Sequence, residues 1–424
     1  MESRLNICHI YLFVILLCAL NGTLYPPGSI VAQGLQLTLL LMSFYYVIYA
    51  NLNYKLPVFF KALNILLVMF TVYGLLLVFS GERLMVQVSF REASNIEYLK
   101  SIYNSLLPIY AFYVFTKQGL LKESTVKFWF FVFLVLAVRS FFKTQERLQR
   151  IAFEKGSSAE EFTNNVGYTF VALLPALVIF YKKPIIQYLG LMFCAYFIVT
   201  AMKRGAILIG AMCLVWFMVT NLRNVPQKKK WIIVVVSVVV VLAGFYLVNY
   251  MMETSAYFRY RLAETEEGNS SGRDDLYRIF YNHFISESRP LRFLLGNGAN
   301  ATLKISYNYA HSDWLEIAIN QGLLGLVIYL LYWVCFFVSW RKTRQHPQAF
   351  MAVGMVFIVY FVSSLFSMSY NCVSRCAAMV LGYYLAVYDI EEELDEELDE
   401  ELDNLKNERE WYAIMTNSKP VSCK

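Results

Sequence analysis

Long apolar runs recur along the whole chain, and they limit its fold more than any other feature of the sequence. The run at 231–250, WIIVVVSVVVVLAGFYLVNY, can cross a bilayer as a helix, which takes about 20 mostly apolar residues. The predicted fold class is an all-α polytopic membrane protein. It has about twelve membrane-spanning helices, at approximately 5–22, 30–50, 58–79, 98–116, 126–143, 165–181, 185–201, 204–220, 231–250, 322–340, 350–370 and 372–388.

The composition agrees with a chain that lies mostly in lipid. It is 58% hydrophobic and 16% charged, whereas soluble globular chains are about 45–50% apolar and about 25% charged. The net charge of +6 does not indicate nucleic-acid binding, because its sign is unevenly distributed along the chain. Most cysteines lie in apolar runs. Cys372 and Cys376 fit an i,i+4 metal pair or, as we favour, two small core residues, so no metal or other cofactor is expected.

The orientation follows from the lysines and arginines of the short loops, which favour the cytoplasmic side. If the N-terminus is cytoplasmic, the inner loops contain a single acid, Glu123. The same loops contain thirteen cations, at Lys55, Lys117, Lys122, Lys127, Lys182, Lys183, Arg223, Lys228, Lys229, Lys230, Arg341, Lys342 and Arg344. The bias predicts that both termini are cytoplasmic (N-in/C-in).

The chain then divides into four segments. Residues 1–250 form nine spans, residues 251–321 an outer segment, residues 322–388 the last three spans, and residues 389–424 a cytoplasmic tail. The outer segment, here called the cap, is too polar to span a membrane. It is also too rich in Tyr, Leu, Phe and Ile to be a flexible linker, so we expect one large folded, helical cap between spans 9 and 10.

Local signals place helices within the cap. Ser271 is a suitable N-cap for a helix that starts at Arg273, with acidic residues in its first turn. Residues 295–300, LGNGAN, are a glycine-rich loop. A second helix is expected to begin near Ser312 and to lead into the membrane.

The tail differs from the rest of the chain. It carries thirteen acids and four cations, with the near-repeat ELDEELDEELDNL. Leu394, Leu398 and Leu402 recur every four residues, a spacing that drifts around a 3.6-residue helix. The tail is either a solvated acidic helix or a docking site for a cytoplasmic partner.

One histidine has an unusual setting. His311 lies at the junction of cap and membrane, in AHSDWLEIAINQGLLG, with Asp313 and Glu316 nearby. On a continuous helix, Gly322 falls on the same face about three turns below it. The glycine would let a neighbouring helix approach closely. His311 is then either a functional group or an interfacial histidine at a helix start.

Basic residues recur at the predicted outer side, where positive charge is disfavoured: Arg139, Lys203, Arg204, Arg273, Arg278 and Arg375. Lys203 and Arg204 form the turn of a tight hairpin, and Arg273 opposes the dipole of the helix it begins. Each arginine alone fits an internal ion pair equally well. Together they predict a basic cluster that binds an anion such as a diphosphate.

Three stretches resemble the O-antigen ligase and polymerase superfamily of bacterial envelope glycosyltransferases. Arg204 to Leu208 (RGAIL) resembles the family's R-x3-L motif, and Gly272 to Tyr277 (GRDDLY) resembles the opening of its large outer loop. His311 to Gly322 is similar to its H-x10-G motif. Phe162 to Gly167 (FTNNVG) is similar less specifically. The loop motif has Tyr277 where many relatives have Trp, and the acidic tail is not part of the family pattern.

The resemblance implies a fold, a reaction and a location. Such proteins move a glycan from an undecaprenyl-diphosphate carrier to a hydroxyl of a lipid or glycan acceptor, at the periplasmic face of the bacterial inner membrane, without a metal. By this resemblance His311 is the general base, and Arg204 and Arg273 hold the diphosphate. The remaining candidates for substrate binding are Arg139, Lys203, Arg278, Asp313, Gly322 and Arg375.

The alternatives share parts of this pattern. A polymerase of the same superfamily uses the same donor and leaving group, and the paired motifs favour the ligase. A flippase or transporter of lipid-linked sugars would show internal repeats and mid-membrane polar sites, which the sequence lacks. A non-catalytic scaffold explains the tail but not His311 or the outer arginines.

Overall fold

The computed structural model describes residues 6–21, 23–26, 28–86, 91–155, 163–224, 227–266 and 273–417. The described residues form helices α1 Ile7–Ala19, α2 Ile30–Asn53, α3 Val58–Ser80, α4 Asn95–Leu106, α5 Pro108–Lys117, α6 Glu123–Lys155, α7 Gly167–Leu173, α8 Pro184–Thr200, α9 Arg204–Asn224, α10 Gln227–Thr254, α11 Ala256–Glu266, α12 Arg273–Ile285, α13 Pro290–Leu295, α14 Thr302–Ser306, α15 Asp313–Lys342, α16 Pro347–Phe366 and α17 Arg375–Asn417. Two 3₁₀ segments, Leu174–Phe180 and Thr343–Gln345, complete the helical part.

A short antiparallel ribbon lies between α3 and α4, where the sequence predicts only a loop. Strand β1 (Leu84–Val86) pairs with β2 (Arg91–Ala93), with Leu84 opposite Ala93. Apart from this ribbon, the described secondary structure is helical, as predicted.

Seven helices in the described residues are long and apolar enough to cross a membrane: Ile30–Asn53, Val58–Ser80, Glu123–Ile151, Arg204–Asn224, Ser237–Thr254, Asp313–Gln345 and Pro347–Phe366. Three shorter apolar helices accompany them: Ile7–Ala19, Gly167–Phe180 and Pro184–Thr200. The chain is therefore a predominantly helical polytopic membrane protein. The count of about twelve spans and the N-in/C-in orientation stay predictions.

Two predicted spans are broken where a proline interrupts the helix. The span at 98–116 is divided into α4 and α5 at Pro108, which lacks the N–H that a continuous helix needs. The span at 165–181 is an α-helical half, α7, followed by a 3₁₀ half that contains Pro175. The sequence analysis gave each of these spans as one apolar run and did not locate the interruption.

The last predicted span and the tail form one helix, because α17 continues through residue 389 without a break. Lys117 on α5 pairs with Glu393, and the Tyr113 hydroxyl donates to Asp389. These contacts fasten the start of the tail to the bundle. Beyond them Leu394 and Leu398 are more than half exposed, at 58% and 57%. Whether the exposed part is only solvated or binds a partner stays a prediction.

The cap is helical and has a small core of its own. Phe280 of α12 is buried together with Ala301, Ala310 and Ile319, which brings α12 and the segment before α15 onto the first turns of α15. The described part of α12 starts at Arg273, and the expected N-cap Ser271 lies outside the described residues, so the predicted helix start stays a prediction. The second helix begins as predicted, with Ser312 as the N-cap of α15.

Gly322 interrupts α15, with φ of 67° and ψ of −160°. A side chain there would place its Cβ 2.6 Å from the carbonyl oxygen of Leu294 and closer still to the amide nitrogen of Gly296. The expectation of a continuous helix from His311, with Gly322 against a neighbouring helix, is therefore wrong. The helix begins at Asp313, and the glycine faces the backbone of a loop.

That loop, LGNGAN, repairs the hydrogen bonding that the break disrupts. The amide of Asn297 donates to the Ile319 carbonyl, and the amide of Gly298 donates to the Asn320 carbonyl, at 2.9 Å each. The carbonyls of Ile319 and Asn320 are the ones that a helix continuing past Gly322 would otherwise engage. The loop conformation and the break in α15 therefore stabilise each other through these hydrogen bonds.

Substitution of Gly322 by alanine should destabilise the protein by at least about 2 kcal/mol, because alanine would be strained at this φ and would clash with the loop backbone. Gly244→Ala is the matched control, since a Cβ on this α10 glycine meets no atom within 4 Å. Thermal unfolding of the detergent-purified variants, followed by tryptophan fluorescence, measures both. Equal midpoints would contradict this account of the break.

Candidate anion-binding active site

A cavity of about 960 Å³ lies at one end of the helical bundle. The elements that line it include α1, α4, α6, α7, α16 and the start of α17, together with the α8–α9 turn and two residues of the cap. Its basic lining consists of Arg139, Lys143, Lys203, Arg273, His311 and Arg375. No Asp or Glu is found among the described lining residues. A cleft lined by one sign of charge concentrates counter-ions, so this one is suited to an anionic ligand.

The turn between α8 and α9 brings Lys203 to the cavity. Met202, just before it, adopts the left-handed conformation with φ of 54°, which makes the turn tight. A Cβ on Gly205 would clash with the ring of Phe366 at the end of α16, so the glycine permits this close packing. Arg204 is the first residue of α9 and is not among the lining residues.

Arg273 reaches the cavity from the first turn of α12. Its Nη1 donates to the carbonyl oxygen of Phe366 at 2.7 Å. Phe366 is the last residue of α16, so no amide of its own helix donates a hydrogen bond to this carbonyl. This described partner is neutral, so the contact orients the guanidinium without cancelling its positive charge.

His311 lies in the cap two residues before α15 and remains partly open to solvent. It adopts φ of 52°, in the left-handed region that non-glycine residues rarely occupy. The Tyr277 hydroxyl donates to its carbonyl oxygen at 3.1 Å. Partial burial, followed by the positive charges of Arg273 and Lys203, lowers the pKa of the imidazole below its ordinary value of 6.5. The neutral imidazole, a proton acceptor, is therefore the favoured form near pH 7.

Two fully buried carboxylates hold the segments on either side of His311. Glu316 accepts hydrogen bonds from the Ala310 amide at 2.8 Å and from the Thr302 hydroxyl at 2.6 Å. Asp313 accepts from the Ser369 amide at 2.9 Å and from the Tyr329 hydroxyl at 2.7 Å. Neither carboxylate is among the lining residues. Both act as anchors behind the cavity wall.

Five of the nine residues that the sequence nominated line this cavity: Arg139, Lys203, Arg273, His311 and Arg375. The other four do not. Arg204 and Arg278 lie on nearby helices, Asp313 is an anchor, and Gly322 contacts the glycine-rich loop. The assignment of a substrate contact to Asp313 and Gly322 has no support in this geometry.

Sequence reasoning missed Lys143 and the loop of residues 367–374, which carries Ser369. Lys143 lies four residues after Arg139 on α6, a spacing that puts the two on one helix face and was available from the sequence. The loop has no sequence pattern that reveals its place beside the cap. In the described part of the chain, no group of three His, Cys, Asp or Glu side chains is arranged to hold a metal ion.

The fold and the cavity thus define a polytopic membrane protein with a basic site at one end of its bundle. Residues 189–330 match the family model described as O-antigen ligase. The match covers about a third of the chain, and over this segment the chain is similar to O-antigen ligases. The matched segment contains Lys203, Arg273 and His311, whereas Arg139 and Arg375 lie outside it. A comparison with curated proteins finds no match.

Proposed function

We propose that this protein is an O-antigen ligase-like glycosyltransferase. It moves a glycan from an undecaprenyl-diphosphate carrier to a hydroxyl of a lipid or glycan acceptor, on the periplasmic side of the bacterial inner membrane. The observation that carries the proposal is that His311 lines a cavity together with Lys203 and Arg273, and that the described lining of this cavity has no acid. The family match over residues 189–330 supports the same class of reaction.

In this proposal the diphosphate of the donor binds at the wall formed by Lys203 and Arg273. A guanidinium can hold two phosphate oxygens at once, and an ammonium adds a compact charge. Arg204 is assigned the same role from the R-x3-L resemblance. It begins α9, and a helix N-terminus favours phosphate as well.

His311 is proposed as the general base. Its imidazole takes the proton of the acceptor hydroxyl while the hydroxyl oxygen forms a bond to the anomeric carbon of the donor sugar. The bond from that carbon to the phosphate oxygen breaks, and the lipid diphosphate leaves with the electron pair. Arg273 and Lys203 stabilise the negative charge that develops on the leaving group.

Replacement of the base tests the proposal directly. His311→Ala should lower glycan transfer by about 10²- to 10⁴-fold, because general-base catalysis contributes on this order. His283→Ala is the control, since this second cap histidine is on α12 and is not among the lining residues. The assay uses purified full-length protein, an undecaprenyl-diphosphate glycan and candidate acceptors. Normal transfer by the His311 variant, at normal membrane levels, would remove the base assignment.

The pH dependence gives a second test. A general base works when neutral, so kcat/KM should rise with pH through the pKa of His311, and this pKa lies below 6.5. Arg273→Gln removes a positive charge that lowers this pKa, so the rise should move to higher pH even though the overall rate falls. An unchanged midpoint in this variant would show that another group controls the profile.

Ligase and polymerase share this chemistry and differ in acceptor. A strain that lacks the protein should accumulate long glycan chains that are not attached to the final acceptor if the protein is a ligase. Single repeat units on the acceptor would instead identify a polymerase. Gel profiles of the cell-envelope polysaccharide distinguish the two patterns.

A further inference from the structure

The cavity has a second basic wall that the proposed chemistry does not use. Arg139 and Lys143 lie one turn apart on α6, and Arg375 begins α17, which packs against α6. The wall proposed for the diphosphate is built from other elements, the starts of α9 and α12. One cavity thus has two groups of cations on different helices.

Arg375 lies where a cation is least favourable without an anionic partner. It begins a helix of 43 residues, and the helix dipole places partial positive charge at that end. Its Nε is buried and has no hydrogen-bond partner within the described residues. Buried guanidinium groups are normally paired or hydrogen-bonded, so the arrangement becomes favourable when an anion completes it.

The described contact of Arg139 orients its guanidinium group but does not neutralise its charge. Its Nη2 donates to the hydroxyl of Thr23, which also lines the cavity. A hydroxyl orients the guanidinium but leaves its charge in place. The planar fork of donors then remains suited to a carboxylate or phosphate.

Two asparagines beside these cations are suited to a sugar. Asn21 and Asn104 line the same cavity, and the Oδ1 atom of each is buried without a hydrogen-bond partner in the described part of the chain. Ser101 and Ser105, one turn apart on α4, add hydroxyls to the lining. Amide oxygens accept hydrogen bonds from sugar hydroxyls, and unmade hydrogen bonds of this kind are normally satisfied by a ligand or water.

We infer that Arg139, Arg375, Asn21 and Asn104 form a glycan subsite that selects an acidic sugar, one with a carboxylate or phosphate substituent, in the transferred chain. The inference rests on the proposed function for the lipid-linked donor and narrows its substrate class. The diphosphate at Lys203 and Arg273 and the acidic sugar at the second wall would be two anionic parts of one donor.

The test compares three probes on full-length protein in nanodiscs. They are undecaprenyl diphosphate, the same lipid with a neutral trisaccharide, and the same lipid with a trisaccharide in which glucuronate replaces one glucose. Wild-type protein should bind the glucuronate probe at least about tenfold more tightly than the neutral one, as expected for one charge-assisted hydrogen bond.

Substitutions locate the preference. Arg375→Gln and Arg139→Gln should each remove most of it while leaving the binding of undecaprenyl diphosphate unchanged, and Arg375→Lys should keep part of it. Arg344→Gln, at an exposed arginine that does not line the cavity, is the matched control. Thermal midpoints equal to that of the wild type establish that each variant is folded.

Two outcomes would overturn the inference. One is equal affinity of the wild type for the neutral and glucuronate probes. The other is a loss of undecaprenyl diphosphate binding in Arg375→Gln as large as the loss for the glucuronate probe, which would assign Arg375 to the diphosphate. If the wild type binds no undecaprenyl diphosphate, the proposed function fails instead. The free trisaccharides, used as soluble probes, then still test the acid preference.

Discussion

Two buried carboxylates in the first turn of α15 hold together the separate parts of the chain that surround the cavity. Glu316 binds the Ala310 amide of the cap, and Asp313 binds the Ser369 amide of the loop before α17. A buried carboxylate is tolerated only where hydrogen-bond donors surround it, so each one fixes its donors in place. The position of His311, next to Ala310 and two residues before Asp313, follows from these contacts.

The charges of this region are arranged by sign. The acids are used behind the wall, where backbone amides and hydroxyls satisfy them, and the cations line the cavity. Arg273 is oriented by a carbonyl and Arg139 by a hydroxyl, so both partners orient a charge without cancelling it. The depressed pKa of His311 is a consequence of the same arrangement, because the neighbouring cations oppose its protonation. The same group of cations therefore makes the cavity suitable for an anion and favours the neutral form of His311.

Much of this arrangement was predictable from local sequence. Hydropathy predicted apolar membrane helices, and α15 begins beside Ser312, where the pattern placed a helix start. The four-residue spacing of Arg139 and Lys143, which puts both on one helix face, could also have been read from the sequence. The breaks at Pro108 and Gly322 were not foreseen as breaks, since hydropathy is insensitive to a missing amide or to one residue with positive φ.

The sequence by itself determined the class of protein, because apolar length and the satisfaction of backbone groups in lipid allow few folds. It also nominated the basic residues, one by one, without deciding whether each meets a ligand or an internal carboxylate. Only the tertiary structure decided that Lys203, Arg273, His311, Arg139 and Arg375 share a cavity and that Asp313 does not line it. These residues come from segments that are far apart in the chain. A local sequence pattern therefore cannot show that their charges lie close together in space.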